Sequence, residues 1–371
     1  MMNTNKQTIS VVQLYLLLYI GIMVTGILTL PHPIYVIAQQ NMWISLILGS
    51  CIGYPIILVA AFLNRHYPEM NLPQITIKIF GPLIGRLFIA LFAIIFIIQL
   101  LYITKEYQIY LSLGFYQFTS PAVLILLLMA ASLYACSHGI EVIARVSQII
   151  LPITAIFAII VLTLSLPEMD WGAWLPVLEH GLLPPLKAAY IPCVWFSEFT
   201  WILFALNHIS RDKSKELRTY GIRIVALTTL SLLLFFSVDL GILGPLNGIL
   251  IYPTHIVERY VQIGSFIERI SALFMSIWVL GMFAKTTFLF YILLQDLRSL
   301  FNLNGYRSLN FPIHAVMFSL CIVFFTSTQS ILTNAFIIFI IVNPAGNILL
   351  PLIILIGVWI HVRKAHRNSI P

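Results

Sequence analysis

Runs of apolar residues close to the ~20 needed to cross a bilayer's hydrocarbon core recur along this chain and leave few alternatives for its fold. They lie at Ile9 to Leu30, Trp43 to Leu63, Ile84 to Thr104, Pro121 to Cys136, Val142 to Leu164, Leu186 to Leu206, Ile222 to Leu243, Phe266 to Leu294 and Phe311 to Thr328. A last one runs from Ile331 to Ile360 and is interrupted at Asn343-Pro344-Ala345-Gly346-Asn347. Lipid cannot hydrogen-bond the backbone, so a spanning segment must be a helix or a strand of a closed barrel. Continuous runs, rather than alternating ones of ~10 residues, select the helix. Charged residues make up 9% of the 371 residues, against about a quarter in ordinary globular chains, so nearly the whole chain belongs in lipid. The expectation is an all-α polytopic membrane protein with ten transmembrane helices, a single transmembrane domain over residues 1–371.

Orientation follows from Lys and Arg. With the N-terminus in the cytoplasm, fifteen of them fall in inner segments and four in outer ones, which predicts that both termini are cytoplasmic. The net charge of +7 therefore faces the lipid bilayer and is no sign of nucleic acid. The first apolar run lacks a small-residue cleavage site and reads as a retained helix rather than a signal peptide. Cys51, Cys136, Cys193 and Cys321 sit in apolar runs without CxxC spacing and read as small core residues. Trp171 and Trp174 suit an outer interfacial belt.

Within the sixth run, Tyr190 to Asn207 carries Pro192 and the pair Ser197-Glu198. A carboxylate at that depth costs roughly 2.5 to 3.5 kcal/mol on insertion scales, so Glu198 is expected to face a protein-lined cavity, with the helix discontinuous beside it. The alternative is a proline-bent span whose Glu198 is neutral and bonded to a neighbouring helix. Ten spans divide into five plus five, and because five is odd the second half enters the membrane inverted. The repeats fall at approximately 9–165 and 186–329, with a final span or spans to 361. The opening span of the first half holds Gly21 and Gly26, and interrupted segments in corresponding positions of two halves point to a binding site. The alternative for these glycines is close helix packing.

Several segments in order carry a resemblance. They are Thr25-Gly26-Ile27-Leu28-Thr29-Leu30-Pro31; Arg65 with Pro68; Gly81 with Gly85; Gly139-Ile140-Glu141-Val142-Ile143-Ala144-Arg145; and Ile267-Glu268-Arg269-Ile270-Ser271-Ala272-Leu273 followed by Trp278-Val279-Leu280-Gly281 and Lys285. Over essentially its full length the chain resembles the B subunits of spore nutrient germinant receptors, permease-like proteins of the amino acid/polyamine/organocation superfamily. It departs from the pattern at Val24, where a second glycine is expected, and at Ser197, where many relatives have glycine before the acid. The resemblance implies a LeuT-like 5+5 inverted repeat with discontinuous helices 1 and 6, and a small germinant such as an amino acid at mid-membrane. It further implies the inner membrane of a bacterial endospore, partner A and C subunits, and a part in triggering germination. An amino acid permease of the same fold is the first alternative; a ligand-gated ion path or a structural anchor subunit is the second.

On this reading an unwound stretch at Thr25, Gly26 and Ile27 offers backbone N–H groups to a carboxylate. Carbonyls from Val194 to Ser197, with Glu198, take an ammonium, and Trp195, Phe196 and Phe199 form apolar walls or a cation-facing ring, the alternative for these rings being helix packing. Lys285 is the second ionisable group within a span. By analogy with related folds, where the first and eighth spans frame a cation site, it replaces a sodium ion with a tethered charge; Thr286 or Thr287 ligating an ion, and a lysine that snorkels to the inner face, are the alternatives. Asp239, Glu268 and Arg269 are expected near the outer ends of the seventh and eighth spans, where they pair and shape the vestibule or form a solvated interfacial pair, and Lys105-Glu106 at the outer end of the third span has the same two readings. Glu141 and Arg145, four apart, are expected to pair. No HExxH, GxSxG or Walker lysine loop is present and no two histidines lie four apart in a span, so neither an enzyme nor a metal site is expected, and no cofactor beyond a coupling ion of unknown identity.

Overall fold

The computed structural model describes residues 7–210, 213–260, 270–324 and 334–367. Among these residues there are helices and connecting turns and no strands. Nine helices are long and apolar enough to cross a membrane, and Arg307–Val323 is a shorter apolar one. In chain order they are α1 (Val11–Thr29) with its continuation α2 (Pro31–Ala38), α3 (42–66), α4 (Leu72–Gly114), α5 (Pro121–His138), α6 (Ile140–Ser165), α7 (Leu183–His208), α8 (Ser214–Leu243), the short α9 (Pro253–Tyr260), α10 (Ile270–Leu300), α11 (Arg307–Val323) and α12 (Phe336–Arg363). Taking α1 with α2 as one crossing and setting α9 aside gives the ten expected spans. Glu268 and Arg269, and Arg211 with Asp212, lie outside the described residues.

Local chemistry explains the boundaries. Ser10 caps α1 through a capping box with Gln13, and Asn71 does the same for α4 with Gln74. Helix α4 starts earlier than its apolar run because it turns sharply at Gly81, whose φ of 79° favours glycine, ahead of Pro82. Gly85 is needed for a second reason: a Cβ there would stand 2.7 Å from the Ile77 backbone on the other arm of the bend. Gly139, at φ 89°, is the sole link between α5 and α6.

Enclosure separates centre from rim. In their apolar windows α7 is 89% buried, α10 83% and α1 72%, whereas α6 is 22% buried and faces outward. Helix α10 packs on α1, α4, α5 and α6, while α1 also packs on α8. Without a hydrophobic force between helices in lipid, close packing and hydrogen bonds must hold this centre together. Glycines allow part of it: a Cβ on Gly281 would meet Val24 at 2.9 Å.

Helices 1 and 6 depart from regular α geometry, as the fold class requires, but the departures differ from the expected open breaks. Thr25 and Gly26 lie inside α1; the interruption falls at Leu30, where Pro31 and Pro33 lack the N–H groups that would continue the ladder. Gly26 packs against Leu232 of α8 with a prospective Cβ contact of 3.4 Å, which fits the packing alternative. In α7 the chain stays right-handed through Ser197 and tightens to a 3-10 stretch, Ser197–Trp201. The interrupted last span is likewise continuous, with a π-helical stretch at Ala345–Leu349. Cys136 and Cys321 are buried, but Cys51 is exposed.

Candidate functional site

Three segments of different helices converge on one ion pair. Lys285 Nζ of α10 donates to Glu198 Oε2 of α7 at 2.8 Å and to Thr25 Oγ1 of α1 at 2.7 Å. Both charged side chains are 0% exposed. An ammonium has three donors, and the face of Trp201, its centroid 5.5 Å from Nζ, lies on the remaining side. Gly21 gives the lysine stem room, its missing Cβ standing 3.9 Å from Lys285 Cγ. Thr25 Oγ1 also accepts from Trp195 Nε1 at 3.1 Å, so one hydroxyl ties α1, α7 and α10 together. Lys285 therefore points into the bundle and not along it toward the inner face. Removing either charge from such a pair leaves the other stranded, at about 3–5 kcal/mol.

A polar seam joins this centre to α4 and α12. Pro351, four residues on, has no N–H for the Asn347 carbonyl, and Thr200 of the 3-10 segment donates to it at 2.6 Å. Gln99 of α4 donates to Asn343 at 2.8 Å, and Asn347 donates to both Asn343 and Ser197. Prolines release carbonyls for the same purpose. Pro31 cannot donate to Ile27, whose carbonyl accepts from Thr254 of α9 at 2.7 Å; Pro344 cannot donate to Ile340, which accepts from Tyr190 of α7 at 2.9 Å.

Above the ion pair, one turn along α1, lies a cavity of about 460 Å³. Its walls include Thr29 of α1, His32 of α2, Tyr102 and Glu106 of α4, Tyr252 before α9 and Phe336 of α12. Thr29 bonds to the Thr25 carbonyl at 2.6 Å, and the Phe336 ring lies 6.2 Å from that of Trp195, so the two sites share a floor. Exposed Val36, Ile37 and Ile251 form its rim. A second cavity of about 390 Å³ is almost wholly apolar and lies between α1, α6, α8 and α10.

The residues expected around a ligand fall into distinct places. Thr25, Trp195 and Glu198 meet at the ion pair; Ser197 bonds back to Val194, which is fully buried. None of these borders either cavity, nor does Gly26, and Ile27 borders the apolar one. The half-helix N-terminus expected at Thr25 and Gly26 is absent because those residues are helical. Thr286 and Thr287 are buried with hydroxyls that find no partner, and no hydrogen bond joins them to Lys285; the Thr287 carbonyl instead faces Cys136 of α5.

Two expectations about outer charges are corrected. Asp239 is neither solvated nor part of an interfacial pair, but fully buried and bonded to Thr254 at 2.6 Å, because α9 folds over it. Lys105 and Glu106 are both buried, on different sides of α4, so they do not form an interfacial pair. Glu141 and Arg145 do pair, at 2.8 Å on an exposed surface. Trp171 and Trp174 stack on one another in an exposed turn, in keeping with an interfacial belt. Sequence reasoning missed the Gln99, Asn343, Asn347 and Thr200 seam, although Asn and Gln within apolar runs were a usable signal.

Comparisons with known proteins agree with this architecture. A family model described as "Spore germination protein" matches residues 8–330. The chain is 26% identical to spore germination protein XB of Bacillus anthracis, over 88% of this chain and 90% of that one. It is 22% identical to spore germination protein KB of Bacillus subtilis (strain 168), over 97% of each. Among solved structures it is similar to that of MhsT in complex with L-phenylalanine, with a TM-score of 0.61 at 13% identity, covering 93% of this chain and 89% of that one. At that identity the likeness carries the LeuT-like fold alone.

Proposed function

Because the chain belongs to the spore germination protein family, we propose that it is the nutrient-sensing membrane subunit of a germinant receptor, holding a small germinant, an amino acid in the first instance, in the cavity bounded by α1, α2, α4, α7 and α12. The observation that carries this reading is a tethered cation beside a ligand-sized cavity. Lys285 takes the position between the first, sixth and eighth spans where a carrier of this fold would hold a mobile coupling ion, and it is fixed there by Glu198 and Thr25. Pockets for small ligands run from ~300 to ~1,000 Å³, a range that includes this one. A fixed charge cannot be released to either side, so a ligand can bias the conformation without ion-driven accumulation. On this proposal Thr25, Trp195 and Glu198 form the ion-pair layer beneath the ligand, with Val194 and Ser197 packed behind them on α7, while Gly26 packs against α8 and Ile27 borders the apolar cavity. Lys285 is the tethered charge, with Thr286 and Thr287 behind it on α10. The inner membrane of the spore, with both termini in the cytoplasm, and partnership with A and C subunits complete the reading.

A permease is the second reading, favoured by the fold neighbour, whose title places L-phenylalanine in a complex with it. Uptake of radiolabelled amino acids into proteoliposomes containing the purified chain separates the two. The sensing proposal expects binding without accumulation above the external concentration; concentrative uptake by this chain alone overturns it. In spores, Ile109→Trp, which fills the cavity wall, is expected to shift the nutrient dose-response, and an unchanged response removes the cavity from the site.

A further inference from the structure

Glu106, two residues beyond the third apolar run on α4, is 3% exposed, and neither carboxylate oxygen has a hydrogen-bond partner. Buried acids in membrane spans are costly and are ordinarily paired. The nearest acid–base arrangement is already closed, since Lys285 is held by Glu198 and Thr25, and Lys105 lies beside Cys321 of α11. Glu106 borders the 460 Å³ cavity, whose described lining residues include no Lys or Arg and one imidazole, that of His32, which bonds to the Asn247 carbonyl at 3.1 Å. Three aromatic rings, Tyr102, Tyr252 and Phe336, line the same cavity, together with apolar Ile109, Ile191 and Ile251. Tyr102 is fixed by stacking on Phe339 at 4.2 Å, and Tyr252 by an edge-to-face contact with Tyr110 at 5.8 Å.

An unpaired carboxylate in a cavity lined by aromatic rings is an arrangement suited to an organic ammonium, which gains a charge-assisted hydrogen bond and cation–π contacts together. The same carboxylate repels an anion, and among the described lining residues there is no Lys or Arg to compensate, while the one imidazole, His32, is turned to the Asn247 carbonyl. We propose that Glu106 is the ammonium-binding residue of this cavity, and that the ligands it admits are small primary amines with an apolar body, free amino acids included, for which the ammonium is required and the carboxylate is not. This rests on the reading of the cavity as a ligand site given above. It assigns the amino group to α4, away from Glu198, which is occupied by Lys285.

The test uses the full chain purified in detergent, with four probes that separate the two ends of an amino acid: phenethylamine and isoamylamine, which keep the ammonium, and hydrocinnamate and isocaproate, which keep the carboxylate. Binding is read by calorimetry and by the shift in thermal unfolding, on the wild type, Glu106→Gln, Tyr252→Leu and Ile109→Trp. The amines are expected to bind the wild type and to lose about ten- to a hundredfold in affinity in Glu106→Gln, the loss of one hydrogen bond to a charged group. Tyr252→Leu, which leaves the acid in place, is expected to weaken the amines less, and the carboxylates are expected not to bind. Carboxylates binding as well as amines, amines binding Glu106→Gln undiminished, or no amine binding to the wild type each overturn the assignment. In the first two cases, loss of binding in Ile109→Trp leaves the cavity standing as a ligand site; binding that survives Ile109→Trp removes the cavity itself.

Discussion

The Lys285–Glu198 pair lends itself to a double-mutant cycle, because both side chains are wholly buried and 2.8 Å apart. Glu198→Gln keeps the shape and an acceptor but leaves the ammonium without a counter-charge; Lys285→Met keeps the stem beside Gly21 but leaves a carboxylate with no cation and Thr25 with Trp195 as its one remaining donor. Each single change is expected to cost about 3–5 kcal/mol, a factor of roughly 10² to 10³ or more in the folding equilibrium. The double variant removes both charges at once and leaves no stranded ion, and replacement of a whole buried pair by groups of similar volume is often close to neutral. Its loss is therefore expected to fall short of the summed single losses by more than about 2 kcal/mol, within the range of coupling between contacting residues. Thermal unfolding in detergent, followed by the intrinsic fluorescence to which Trp195 and Trp201 contribute, gives the ranking, with the double variant melting above both singles. If the double variant melts lower by the sum of the two single shifts, the charges act independently and the tethered-cation reasoning fails.

Thr254→Val removes the hydroxyl that lies between the Ile27 carbonyl, at 2.7 Å, and Asp239 Oδ2, at 2.6 Å, and whose single hydrogen serves one of them at a time; losing that buried donor is expected to cost about 1–3 kcal/mol, read as a lower melting temperature and as faster proteolysis at α9. Gly26→Ala is expected to be nearly silent in stability and expression, since its Cβ meets only the tips of Leu30 and Leu232 at 3.3–3.4 Å and alanine favours the helix by about 1 kcal/mol; a severe loss would restore the idea of an unwound segment there. Gly85→Ala, by contrast, drives a Cβ into the Ile77 backbone at 2.7 Å and is expected to open the bend within α4, lowering the yield of monodisperse protein on gel filtration.

What the sequence discloses here is the part fixed by burial cost. Apolar length gives the ten crossings, and the expense of a charge in lipid singles out Glu198 and Lys285 from their neighbours, two groups 87 residues apart that the fold brings to 2.8 Å. Hydrogen-bond accounting was less legible. The glycines of the first span suggested an unwound stretch at Thr25 and Gly26, but Val24 and Ser197 stand where more glycine would be needed to open the helices, and both remain coiled. The interruption falls instead where Pro31 removes a donor, and its effect is felt at Ile27, four residues earlier, which no local reading of polarity would mark. Glu106 was hidden for a different reason. Lys105 beside it in sequence suggested an ion pair at the interface, yet adjacent residues on a helix point about 100° apart, and only the packing of α4 against its neighbours decides which of the two meets the cavity.

The same geometry supplies a route from ligand to the rest of the bundle. The cavity touches Thr29 and His32 on either side of the Leu30 interruption, Ile191 of α7, and Phe336 of α12, so an occupant contacts four elements, of which α7 is tied to α12 by the Tyr190 hydroxyl-to-carbonyl bond and α1 to α9 by that of Thr254. Such bonds contribute about 1 kcal/mol each and can be exchanged singly, unlike the interlocked side chains around them. The Lys285 anchor one turn below resists displacement by several times that amount. On the proposed function, a ligand that favours one arrangement of α2 and α9 over another moves these weakly tied segments about a fixed centre. Thr254→Val, by loosening one of those ties without touching the cavity, is accordingly expected to shift the nutrient dose-response of spores as well as stability; a melting change with no change in dose-response would separate the α9 contact from signalling.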